Sequence, residues 1–191
     1  FDKIVKTDSG KRLIENIDKV HNADFSVIVY NFLDILSHAR TETQIIRDLA
    51  EDEAAFRSLT RSWFEHSDLL ELMRLLAERG HTIIITSDHG TIQVDNPVRV
   101  QGDRATSSNL RYKTGRNLGF NQKEVFAITK PELAHLPKSN ITSTYIFAYN
   151  RDFFVYPNNT NQFVRYYNNT FQHGGISMEE MIVPFLVLKP R

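Results

Sequence analysis

Three short segments carry the residues most able to do chemistry: Asp34-x-x-x-His38, Thr86-Ser87-Asp88-His89-Gly90, and His173-Gly174-Gly175 near the C-terminus. Each offers carboxylate or imidazole groups, which bind hard or borderline divalent cations. On a starting helical turn, Asp34 and His38 share one face, so an oxygen and a ring nitrogen can reach the same ion. The plainer alternative is a helix-capping Asp with an unrelated His. Asp88 and His89 are neighbours, and neighbours in a strand point to opposite faces. Both serve one site only through a sharp turn, which Gly90 permits; otherwise they are a turn Asp and a surface His. His173 lies against two glycines that let its backbone approach a bound ion, or it is a solvated His beside a Gly-Gly turn. Together the five ligands make up most of two metal sites. Two ions about 3.5–4 Å apart are a standard device for breaking phosphate esters.

Composition narrows the chemistry further. The 191 residues contain no cysteine, which excludes disulfides and thiolate metal sites and leaves imidazole, carboxylate and hydroxyl ligands. Basic and acidic side chains balance at 23 each, so no global field argues for nucleic-acid or membrane binding. Apolar residues at 41% are ordinary for a globular domain, and no run reaches the ~18 residues of a membrane span. Phe1-Asp2-Lys3 does not begin a signal peptide. A cytoplasmic protein without membrane insertion is the expectation.

The elements that must position these ligands alternate. Leu13, Ile14, Ile17 and Val20 have helical spacing, predicting a helix over residues 10–21. Residues 25–31 form a nearly continuous apolar run suited to a doubly covered strand. A long helical pattern spans residues 52–79 and stops at Gly80, and a second buried-type strand follows at 81–86. This order predicts an α/β fold with a mostly parallel central sheet flanked by helices. Asp34 and Asp88 then lie beyond the C-terminal ends of their strands, where ligands collect in such sheets. After Gly90 a polar, basic stretch runs through Asn121. Strands are expected at 124–129, 143–149, 153–156 and 162–167, then a brief helix at 177–181 and a last strand at 182–188.

Between Arg99 and Lys123 stand six basic residues (Arg99, Arg104, Arg111, Lys113, Arg116, Lys123) and one acid, Asp103. Arg and Lys pair with phosphate oxygens. Asn109, Arg111, Lys113 and Arg116 are therefore the candidate substrate contacts, against the alternative of a solvated basic loop. Tyr112 and Phe120 can stack on a base or simply pack. His21, His66, His81 and His135 lack partner ligands in the sequence.

Asp-x-x-x-His, Ser-Asp-His-Gly and the run from His173 to Pro184, His-Gly-Gly-Ile-Ser-Met-Glu-Glu-Met-Ile-Val-Pro, occur here in the order seen in the alkaline phosphatase superfamily. The chain resembles its PglZ branch. Residues 102–117 are similar to the PglZ domain of PorX-type two-component response regulators, associated with type IX secretion. The resemblance covers nearly the whole chain and implies an alkaline-phosphatase-like core. It implies one metal on Asp34, His38 and His173 and another on Asp88 and His89: two Zn2+, with Mn2+ as an alternative. It also implies a first-strand Asp and a Thr or Ser nucleophile upstream of Asp34. Residues 1–5 are too short to be expected to form that strand, so residues 1–191 are expected to be a single PglZ domain lacking that segment, with its catalytic nucleophile unknown.

The implied activity is metal-dependent hydrolysis of a phosphate ester, with a nucleotide-type substrate, by the effector domain of a response regulator. Signalling or secretion-system proteins are the implied partners, and the full-length protein would be a candidate homodimer. The alternatives are a non-catalytic, zinc-stabilised partner-binding module and a manganese phosphomutase-like enzyme.

Overall fold

The computed structural model describes residues 2–4, 7–102, 106–138, 140 and 142–190, with side chains from Ser9 onward. The chain divides into two compact units, Phe1–Thr86 with Pro184–Arg191, and Ser87–Val183.

The first unit opens with β1 (Asp2–Ile4), α1 (Thr7–Glu15), α2 (Ile17–His21) and β2 (Ile28–Tyr30). The helices form a crossover, which is what lets β1 and β2 pair in parallel. A strand therefore does precede Phe25, where the sequence suggested none, because three residues suffice once β2 supplies the partner. Four helices follow: α3 (Phe32–Glu42), α4 (Gln44–Leu49), α5 (Glu53–Glu65) and α6 (Asp68–Glu78). They lead to β3 (Ile83–Thr86), which pairs antiparallel with β11 (Phe185–Leu188) at the far end of the chain. The periodic residues Leu13, Ile17 and Val20 meet Leu72 and Leu76 of α6 in one buried cluster, joined by Ile28, Tyr30 and Ile83. The helical spacing of the first segment thus reports its core face.

Two helical expectations are corrected. The pattern over residues 52–79 is two helices, because Ser67 takes an extended backbone (φ −91°, ψ 153°) and its hydroxyl accepts from the Leu70 N–H at 3.4 Å. A second N-cap resets the helix where periodicity alone runs on. The segment over 10–21 likewise breaks at Asn16, between α1 and α2. α2 is then tied to the turn before β3: His21 Nδ1 lies 2.8 Å from His81 Nε2, and Arg79 donates to Asp18 at 2.6 Å.

The second unit contains β4 (Ile92–Val94), β5 (Asn96–Arg99), β6 (Tyr112–Arg116), β7 (Val125–Ile128), β8 (Ser143–Ala148), β9 (Asp152–Val155), α7 (Thr160–Tyr167), β10 (Thr170–Gln172) and α8 (Met178–Met181). β6–β8–β7 form an antiparallel sheet, β10 pairs antiparallel with β4, and β5 pairs in parallel with β9. The stretch that reads as polar after Gly90 therefore builds three strands. Residues 162–167, expected as a strand, form most of α7. Phe163, Val164 and Tyr167, at i, i+1 and i+4, pack on the cluster of Ile92, Val94, Leu110, Phe153 and Val155. That spacing is helical, and the segment's aromatics pack on this one face.

Among the described residues, neither unit shows the mostly parallel sheet expected from the alternation of elements. The described strands form five small sheets, and only the β1–β2 and β5–β9 pairings are parallel. β6, β8 and β7 pair antiparallel, as do β4 and β10, and β3 takes its partner from the C-terminal strand. Leu72, 1% exposed at the centre of the first cluster, gives a direct check on this packing. Leu72→Ala should lower unfolding stability by about 2–5 kcal/mol in urea titration, because a large cavity replaces a fully packed side chain.

Candidate functional site

The five sequence-predicted ligands fall into two groups, one in each unit. Asp34 and His38 sit on α3 of the first unit, one turn apart, with His38 Nε2 3.5 Å from Asp34 Oδ1. Both are well exposed, at 67% for His38 and 40% for Asp34. α3 is anchored beneath them by Arg40, which is buried and donates to the carbonyls of Ala50 and Glu51.

Asp88, His89 and His173 come together in the second unit. Asp88 Oδ1 accepts from the His89 N–H at 3.1 Å and lies 3.8 Å from His89 Nε2. The imidazoles of His89 and His173 stack face to face, with centroids 3.8 Å apart and planes within 8°. His89 Nδ1 is 3.0 Å from the Gly90 carbonyl, which only accepts. The hydrogen bond therefore requires the Nδ1–H tautomer and leaves the Nε2 lone pair to act as base or ligand.

Two short loops carry these rings, and both hang on Glu180 of α8. The Gly90 N–H donates to the Glu180 carbonyl at 2.8 Å, fixing the His89 loop. The Gly175 N–H donates to Glu180 Oε1 at 2.8 Å and the Ser177 N–H to Oε2 at 3.2 Å, fixing the loop after His173. The glycines are needed for space as well as turn geometry. A Cβ on Gly90 would collide with the Glu179 carbonyl, and one on Gly175 would stand 2.6 Å from Glu180 Oε2. Gly174, at φ +100°, lies in the left-handed region that favours glycine.

The candidate substrate contacts divide differently from the sequence expectation. Arg111 is 0% exposed, and its fork meets both Glu180 oxygens, Nε to Oε1 at 2.9 Å and Nη2 to Oε2 at 2.8 Å. Its Nη1 donates to the carbonyls of Asp152 and Tyr149. Lys113, 1% exposed, donates to the Ser107 carbonyl at 2.9 Å, and its ammonium lies 4.9 Å over the Tyr156 ring. Neither presents its charge to solvent. Arg111 and Lys113 do share one face of extended chain, but that face is turned inward.

Asn109 also works internally. Its Oδ1 accepts from the N–H groups of Arg111 (2.7 Å) and Tyr112 (3.1 Å), while Nδ2 donates to the His173 carbonyl at 3.2 Å. Arg116, at the end of β6, is the exposed member of the four. Asp103 and Arg104 of the basic stretch lie outside the described residues.

Burial shapes the protonation of the two charged groups on this unit's inner face. Desolvation alone would raise the Glu180 carboxyl, but hydrogen bonds and charge from Arg111, with the Gly175 and Ser177 donors, hold it below the usual range. Burial pushes the Lys113 amine down to about 8. Glu180 is the residue whose role the sequence reading missed. The signal was present as Ser177-x-x-Glu180 before an apolar run, the spacing in which an acid turns back onto the start of its own helix.

Among the described residues, no group of three or more His, Asp or Glu side chains is placed to hold a metal ion. The second unit nevertheless pairs two imidazoles with a carboxylate at the tips of glycine-shaped loops, around a buried ion pair. Residues 2–188 match the family model described as the BREX system PglZ alkaline phosphatase-like domain. The chain belongs to the PglZ family. Its fold is accordingly of the phosphoesterase-type hydrolase kind, within a superfamily that generally uses divalent metals. No curated protein matches the chain. Among the described residues of this PglZ domain, no helix is long and apolar enough to cross a membrane.

Two predictions test this geometry. Gly175→Ala should cost about 1–3 kcal/mol in thermal or urea unfolding, because the new methyl displaces the Glu180 carboxylate or its own loop. Lys113 should leave a signature in alkaline stability. Between about pH 8 and the ordinary 10.5, the unfolded chain holds a proton that the folded chain releases. Stability should therefore rise with pH across that window, and Lys113→Met should remove that component when the two urea profiles are subtracted.

Proposed function

We propose that this PglZ domain is a metal-dependent phosphohydrolase acting on a phosphate ester, with a nucleotide-type phosphodiester as the favoured class. The supporting observation is the parallel stack of His89 and His173 beside Asp88. The stack brings two imidazoles and a carboxylate, the ligand types of a paired-ion phosphohydrolase site, into one place. The donor set fits that use. His89 gives its Nδ1–H to a backbone carbonyl, the arrangement that orients a metal-binding imidazole through its other nitrogen. His173 would serve one ion, and Asp88 with His89 the other. Asp34 and His38 offer the same ligand types on α3 and are proposed as further ligands.

Imidazole and carboxylate suit zinc, with manganese the alternative. Bound divalent ions would neutralise the ester's anionic oxygens and lower the pKa of a coordinated hydroxyl. The chain's own residues do the positioning: Asn109 holds the His173 carbonyl, and Gly90 and Gly175 admit the close approach of α8. Arg116 is proposed to meet the anionic substrate, being the exposed cation of β6. Arg111 and Lys113 are reassigned to internal support. The proposed setting is the effector end of a bacterial response regulator, with signalling or secretion proteins as partners.

Metal content by plasma mass spectrometry on the full chain provides the test, beside Asp88→Ala/His89→Ala. About two divalent ions per chain, reduced in the variant, together with chelator-sensitive hydrolysis of a generic phosphodiester, are the expected results. Metal binding without turnover would move the reading to a metal-stabilised partner-binding module. Equal metal in both proteins would overturn the assignment of Asp88 and His89.

A further inference from the structure

We infer that the buried Arg111–Glu180 pair positions the two histidine loops, setting the spacing of His89 and His173 as a unit. The inference rests on the metal-site reading above and names the device that site depends on. Two separate segments bring the rings together, and the tethers of both lead to this pair. The His89 loop is held through Gly90 to the main-chain carbonyl of Glu180. The His173 loop is held through Gly175 to the side chain of the same residue, and through Asn109 to the segment that carries Arg111. Arg111 joins these holds by gripping both carboxylate oxygens at 2.8–2.9 Å. Its Nη1 also binds carbonyls at the turn joining β8 to β9, so the carboxylate is referenced to the ends of two strands rather than to either histidine loop.

Net stability is a poor account of this arrangement. A buried ion pair gains little over well-packed apolar side chains of the same volume, since desolvating both charges offsets their attraction. Apolar side chains cannot supply directional acceptors for the Gly175 and Ser177 N–H groups. Those acceptors are what place the loop, and with it the plane of the His173 ring. Arg111 and Glu180 touch no reacting atom in this account; they are positioning residues.

The experiment uses the full chain, metal-free and then titrated with Zn2+ against a competing chelator. Its variants are Glu180→Gln, the double change Arg111→Met with Glu180→Met, and Ile146→Val as a core control in the same unit. Ring-proton NMR contacts between His89 and His173 are read first, without metal. The double variant removes both charges together and should stay folded, which covers the case in which Glu180→Gln leaves Arg111 unpaired and unfolds. Its ring contacts should be lost and its zinc dissociation constant should rise about 10–100-fold, the usual cost of losing an outer partner of metal ligands. Ile146→Val should retain both properties. Wild-type ring contacts and zinc affinity in a folded double variant would overturn the inference. So would an equal loss of both in Ile146→Val, because general loosening would then suffice. His89→Ala separates the two readings. If it binds zinc like the wild type, the metal assignment fails, while the ring contacts of the metal-free protein still decide whether the pair sets the spacing.

Discussion

Arg111 and Glu180 face each other in the interior of the second unit, and much of its local order follows from the need to satisfy both. An unpaired charge at either position would cost several kcal/mol, so each polar atom must find a partner. The guanidinium divides its donors between the carboxylate and the carbonyls at the β8–β9 turn. The carboxylate fills its remaining capacity with the N–H groups of Gly175 and Ser177. These are four structural elements converging on one charge pair. The two histidine loops inherit their positions from this convergence, since each is bonded to Glu180 through a glycine N–H. The glycines follow in turn, because a side chain at Gly90 or Gly175 would occupy space taken by α8.

The arrangement separates tasks that a sequence reading merges. Cations beside metal-ligand motifs suggest substrate contacts, and in a solvated loop they would serve as such. Here the alternation of β6 turns Lys113 inward, and Arg111 just before it faces the same way. Their charges are spent on Ser107, Tyr156 and Glu180 rather than on an incoming phosphate. Arg116 lies at the exposed end of the same strand. One short segment thus supplies internal support at one end and a solvent-facing cation at the other.

Much of the secondary structure was legible because periodicity reports burial. Leu13, Ile17 and Val20 do line a core, the runs over 124–129 and 143–149 do contain strands, and a brief helix does follow Ser177. The failures have local causes. Ser67 restarts a helix in the middle of a continuous pattern, and caps act on one residue where periodicity averages over many. Residues 162–167 have strand-like composition, yet bury one helical face of Phe163, Val164 and Tyr167. Sheet direction was the least legible feature, because pairing depends on partners far along the chain: β3 meets β11 about a hundred residues later.

By itself, the sequence determined the kind of chemistry available. With no cysteine, any metal ligation was left to imidazole, carboxylate and hydroxyl groups, with Asp34, His38, Asp88, His89 and His173 as the candidates, and the ordered motifs pointed to the PglZ family that the family match then showed. Residue types and short spacings suffice for that, since a ligand's chemistry belongs to its side chain. Tertiary structure decided which charges face outward, which imidazoles stack, and that Glu180 rather than a phosphate satisfies Arg111. Those outcomes depend on groups 69 positions apart meeting in a low-dielectric interior. Without the fold to bring it a partner, neither charge could remain buried.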